Sequence, residues 1–140
     1  MKTLRILCPL LLLAALPLIL SACKDKDEVD YVEKEIIGWI RFSSDHFELG
    51  PEAATLRIEV EVNNVPLRAE IQWVYPWITS CKLVEQEQGG KSRIDTYLIT
   101  LEANDTYAKR TGNVDFYAGY NEDKLVRESI YISQEMTNNH

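Results

Sequence analysis

Trp73, Tyr75 and Trp77 fall at alternate positions in QWVYPW. Side chains two residues apart on an extended segment share a side, so the spacing predicts a row of three rings. Such a row suits the apolar faces of sugar units, and it suits a core equally well. Trp77 is expected to pack inside. Trp73 and Tyr75, just before Pro76, are the candidate glycan-binding residues. Asp105, Asp115, Glu122 and Asp123 offer hard oxygens to calcium, but the regular ligand spacing of an EF-hand is absent, and they read as solvated loop charge. Catalytic patterns are thin. His46 is the single histidine in the body of the chain, with His140 at its end. No G-x-S-x-G elbow, H-E-x-x-H pair, Walker loop or dinucleotide fingerprint occurs. Acids are numerous enough for a paired-carboxylate glycosidase, but no pair stands out. The expectation is a non-catalytic protein with no cofactor and no metal.

The most specific chemistry lies at Cys23. Lys2 and Arg5 open the chain, and Ile6 to Leu20 is a run of fifteen residues without charge. That length matches the apolar region of an export signal and falls short of a bilayer span of about 20 residues. Leu20-Ser21-Ala22-Cys23 follows and resembles a bacterial lipobox, in which small residues precede the cysteine whose thiol takes up diacylglycerol. The other readings are an uncut signal anchor, which Pro9 and Pro17 make less attractive, and an ordinary secretory signal. Cleavage before Cys23 and acylation with palmitate-type chains would anchor the protein to a membrane, since two or more acyl chains suffice for stable attachment. The expected location is a bacterial outer membrane, with the cell surface as one of the two faces it could take. Cys8 would leave with the leader and Cys23 would be modified. Cys81 then remains alone, without a disulfide partner, and reads as a small buried apolar residue.

The 140 residues carry a formal charge of −7. Removal of the leader leaves 13 basic against 22 acidic residues. Nucleic acid is not an expected partner, because its binding rests on neutralising phosphates. Residues 24–35, KDKDEVDYVEKE, hold nine charges in twelve positions. They cannot bury enough apolar surface to order themselves and read as a solvated spacer. Lys24-Asp25 with acids close behind also resembles the acidic export signal of surface lipoproteins in the Bacteroidetes. The organisation expected is a signal peptide at 1–22, a lipidated cysteine and charged linker at 23–35, and a folded domain at 36–140.

The elements that must position the rings read as strands. Leu56, Ile58, Val60 and Val62 share one parity and Arg57, Glu59 and Glu61 the other, the pattern of a half-buried strand. Asn63-Asn64 and Pro66 end it. The alternation returns over Tyr97–Ala103, Asn113–Ala118 and Val126–Ser133, with Glu128 and Gln134 as polar exceptions on the inward parity of the last. Shorter candidates are Ile36–Phe42, Leu67–Gln72 and Trp77–Cys81. No segment sustains a 3.6-residue apolar period. Six or seven short strands in about 100 residues predict an all-β fold, an antiparallel β-sandwich whose two inner faces supply the core. A small barrel is the alternative.

Order and spacing from Phe47 to Gln134 resemble the BACON domain, a Bacteroidetes-associated family with an immunoglobulin-like β-sandwich of about seven strands. The segments that carry the resemblance are TLRIEVEVNN, the aromatic step WVYPWI, the stretch around Asn104, Arg110 and Val114, and ESIYISQE ending in Gln134. Leu67 lies near a position where many members have a further Trp. A polar run at Val84–Ser92, with Gly89-Gly90 inside it, replaces their Gly-rich turn. The resemblance implies a link to carbohydrate, because such domains accompany glycan-degrading enzymes and surface lipoproteins, although members also act as spacers. Asp95-Thr96 and Asp105-Thr106 faintly resemble the Asp-Thr core of Bacteroidetes O-glycosylation sites, with Tyr after each Thr a poorer fit. The expected partners are a polysaccharide or glycoprotein glycan and envelope proteins. The runner-up role is a structural spacer or protein-contact module with no carbohydrate site.

Overall fold

Alternating side chains become eight strands in the computed structural model, which describes residues 36–138. The strands are β1 (Ile40–Phe42), β2 (His46–Leu49), β3 (Ala54–Asn63), β4 (Leu67–Ile71), β5 (Ile78–Gln88), β6 (Ser92–Leu101), β7 (Arg110–Ala118) and β8 (Val126–Gln134), with one 3-10 turn at Glu122–Lys124. They form two four-stranded sheets, in the orders β1-β3-β6-β5 and β2-β8-β7-β4. The all-β sandwich expected from the sequence is therefore what the chain adopts. All neighbours are antiparallel except β2 and β8, which run parallel from His46↔Tyr131 to Leu49↔Gln134.

Inward parity places Ile58, Val60, Tyr97, Ile99 and Leu101 of the first sheet against Val114, Phe116, Ile130 and Ile132 of the second. Phe116 sits at the centre, with no exposed surface. Its ring meets Phe42 at 5.3 Å and Tyr97 at 5.2 Å, both edge-on, the geometry aromatic pairs prefer.

Two strands depart from the sequence expectation. β2 is an unanticipated strand. Its four residues alternate too briefly to stand out, and its partner lies some 85 positions away. β5 runs through the polar stretch read as a turn and reaches Gln88. It is an edge strand, so pairing on one side with β6 is enough. Two register shifts, at Ile78/Ser80 and Leu83/Glu85, erase its alternation. The reversal is confined to Gly89–Lys91, where Gly89 N–H donates to the Ser92 carbonyl at 2.8 Å.

The sandwich has two distinct ends. At one, the turns after β3, β5 and β7 meet: Gly119 N–H donates to the Pro66 carbonyl at 3.0 Å and the Asn64 side chain donates to the Gly90 carbonyl at 3.4 Å. At the other, Glu102 N–H reaches the Trp77 carbonyl at 2.9 Å and Asn104 N–H the Pro51 carbonyl at 2.7 Å. This second end is closed by a polar knot around Gln134. The Gln134 side-chain carbonyl accepts from Arg110 Nε and Nη2 at 2.9 and 2.7 Å, and its amide donates to the carbonyls of Glu52 at 2.9 Å and Glu102 at 3.1 Å. The Arg110 guanidinium lies 4.6 Å from the centre of the Trp77 ring. Asn104, fully buried, donates to the Ala108 and Glu135 carbonyls and accepts from Thr106.

Candidate functional site

The segment carrying the candidate rings is a turn, not an extended strand. Tyr75 N–H donates to the Gln72 carbonyl at 3.0 Å, and Ile78 N–H to the Tyr75 carbonyl at 3.0 Å. Successive turns rotate the side chains apart, so the expected row of three does not form. Trp77 is buried at 7% exposure, as expected. Tyr75 is half-buried and meets Trp77 edge-on at 6.4 Å. Trp73 projects into solvent at 89% exposure.

Gly112 is why Tyr75 and Trp77 can lie so close to β7. A Cβ at that position would stand 2.8 Å from Trp77 Cζ2 and 3.1 Å from the Tyr75 ring. The absence of a side chain there is a close-approach requirement.

Tyr75 forms part of the wall of an open groove of about 450 Å³. This lies within the range of small-molecule sites, about 300–1,000 Å³. β2, β8 and β7 supply the rest in two cross-strand rows. Register aligns His46, Tyr131 and Asn113 in one row and Glu48, Ser133 and Thr111 in the next. The His46 and Tyr131 rings stack at 5.1 Å, 28° apart, and Tyr131 is half exposed. Asp45 Oδ1 lies 2.8 Å from His46 Nδ1 and orients the imidazole. This hydrogen bond also holds the Asp45 carboxyl below its ordinary value. The lining thus offers aromatic faces, hydroxyls, an amide and one carboxylate, and no Lys or Arg. That chemistry matches a neutral, hydroxyl-bearing ligand with apolar faces.

Asp115 braces the groove from beside Asn113. Its side chain is 2% exposed. One oxygen accepts from Ser129 Oγ at 2.6 Å and Asn113 Nδ2 at 2.7 Å, the other from Gln72 Nε2 at 3.0 Å, and Arg127 stands 3.5 Å away. Burial pushes this carboxyl up. The bonds from Ser129 and Gln72, the Arg127 charge and the bond from Asn113 outweigh burial and hold it below the ordinary carboxylate value. With its amide nitrogen committed to Asp115, Asn113 keeps its carbonyl oxygen for other donors.

The acids read as loop charge do not converge. Asp115 is saturated as above, Glu122 pairs with Arg68 at 2.7 Å, and no metal-holding group of three occurs among the described residues. Asp95 and Thr96 are buried within β6, whereas Thr106 is exposed with its hydroxyl 2.6 Å from Asn104 Oδ1. Cys81 is partly buried beside the core, and burial pushes its thiol up to about 12. The lipobox and Cys23 lie outside the described residues.

Sequence reasoning missed His46, Glu48, Thr111, Asn113 and Ser133 as a group. Tyr131 was legible as an outward ring on β8. Nothing local showed that β2 would bring a second ring beside it.

Residues 75–135 match the model of the BACON family, described as "Putative binding domain, N-terminal". The match takes in Tyr75, Trp77, the Asn104–Arg110–Gln134 knot and the β7 and β8 walls of the groove. It supports the resemblance over the later segments, from Tyr75 to Gln134, whereas TLRIEVEVNN lies outside the match. No curated protein matches the chain.

Proposed function

We propose that this chain, whose residues 75–135 match the BACON family model, is a non-catalytic glycan-binding lipoprotein. In this reading Cys23 carries the lipid, the charged run 24–35 links the sandwich to a bacterial outer membrane, and the groove takes a neutral sugar unit. The observation that carries the reading is the groove itself: Tyr131 and Tyr75 beside hydroxyls and the Asn113 amide, with no Lys or Arg to select a polyanion. Trp73, exposed on the turn that supplies Tyr75, is a second platform for a longer chain. Anchored in this way, the protein serves as an accessory part of a surface glycan-handling system.

Affinity electrophoresis through gels containing neutral polysaccharides tests it. The parent is expected to be retarded by at least one polymer. Tyr131→Ala, which removes a half-exposed ring, is expected to lose most of that retardation while keeping its urea midpoint. Trp73→Ala is expected to weaken it. Equal mobility of Tyr131→Ala and parent across all polymers would reject the groove. Tyr75→Ala is a poor probe, because that ring also packs against Trp77.

A protein-contact role draws support from a different feature. β5 is an edge strand with Leu83 and Val84 exposed at 45% and 48%, and open edges invite pairing with another chain. That role expects Leu83→Lys to abolish crosslinking to an envelope protein without altering polysaccharide retardation.

A further inference from the structure

The described chain begins with apolar side chains left in water. Ile36 is 61% exposed, Ile37 72% and Trp39 38%. One turn gathers the segment that bears them. The Asn63 side chain donates to the Ile37 carbonyl at 2.9 Å and accepts from Trp39 N–H at 3.0 Å. Its neighbour Asn64 offers a carbonyl to the Tyr120 hydroxyl at 3.1 Å, and Tyr120 is itself 68% exposed. The Ile37 carbonyl and the Trp39 N–H are satisfied while the side chains beside them stay exposed. A clustered apolar surface of this kind marks a contact site.

The path of the chain says what covers it. Ile36 lies thirteen residues after Cys23. Thirteen residues of chain span at most about 45 Å. An acylated Cys23 would therefore keep this end of the sandwich within reach of the bilayer at high local concentration. The side chains suit that neighbour: Trp and Tyr favour the membrane interface, where one part of the ring is apolar and the other wet. Arg41, 5.7 Å from the Trp39 ring, is paired with Glu61 at 3.3 Å, so the same place carries no net charge to repel a neutral headgroup layer.

We propose that Ile36, Ile37, Trp39 and Tyr120 seat this end of the sandwich in the interfacial layer of the membrane that holds the lipid. The proposal rests on the Cys23 anchor.

Full-length acylated protein in phosphatidylcholine vesicles, with bromine on the acyl chains near the headgroup, tests it through tryptophan emission. The parent is expected to be quenched. Trp39→Phe is expected to lose at least about half of that quenching and Trp73→Phe none, since interfacial rings report on shallow depth. Ile37→Ser, at an exposed position, is expected to reduce it. Quenching equal in Trp39→Phe and parent, or carried by Trp73, would overturn the proposal. Intact mass separates the two readings. An acylated parent whose Trp39 is unquenched sinks the seating alone, whereas a parent with no acyl group sinks the anchor and the seating with it.

Discussion

Gln134 points inward on the parity of Ile130 and Ile132 and has no exposed surface. Strand parity alone makes it an anomaly. Its reason lies in loops far away in sequence, where the Glu52 and Glu102 carbonyls and the Arg110 guanidinium need partners. Glu128, the other exception on that parity, stays in water. Removing one member of a buried network leaves the others unsatisfied at about 1–3 kcal/mol, more where a charge is involved. Gln134→Leu is therefore expected to destabilise the domain by about 2–4 kcal/mol in urea unfolding. Gly112→Ala should cost about 1–3 kcal/mol through overpacking against Trp77 and Tyr75, with a change in the near-ultraviolet circular dichroism of those rings. Cys81 gives a chemical readout. A thiol near 12 is almost wholly protonated at pH 8, so iodoacetamide should label it at least ~100-fold more slowly than a free cysteine until the domain is unfolded.

Asp115 ties three elements together, taking bonds from Gln72 after β4, Asn113 on β7 and Ser129 on β8. Its carboxyl is held below the ordinary value, so the folded state favours the charged form. The stability this contributes is present above the unfolded carboxylate range, about 3.9, and is lost as pH falls through the lower folded value. Urea midpoints are expected to drop from about pH 5 toward pH 2.5, and Asp115→Asn should flatten that drop. How legible an element is depends on where its partners are. β3 and β6 bury one face against a neighbouring sheet, and their alternation is plain in the sequence. β5 is held by backbone pairing along one edge, so its polar run carried no such signal. β2 depends on a parallel partner at the far end of the chain, and with it went most of the groove. Trp77 was legible as core because a large ring before an apolar strand has few other places to go. The fan of Trp73 and Tyr75 was not, because a turn breaks the two-residue period on which the expectation stood.

Across the whole molecule, the groove and the exposed cluster lie at opposite ends of β7. Thr111–Asn113 lines the one and Ala118 leads into Tyr120 at the other. Seven residue steps along the strand direction separate Gly112 from Gly119, about 24 Å. Gly38 fixes the cluster end, since a Cβ there would come within 2.7 Å of the Ala118 carbonyl oxygen. Sites that far apart with no shared partner are expected to act independently. Trp39→Phe should leave polysaccharide retardation unchanged, and Tyr131→Ala should leave bromolipid quenching unchanged. The parallel pairing of β2 with β8 has one more consequence. β8 contributes every pairing of β2 and every antiparallel pairing of β7 apart from those with β4, and it is the last of the described strands. Without it β2 has no partner and β7 keeps only β4, so a fragment ending before Val126 is expected to lack the completed second sheet and to expose the inner face of the first.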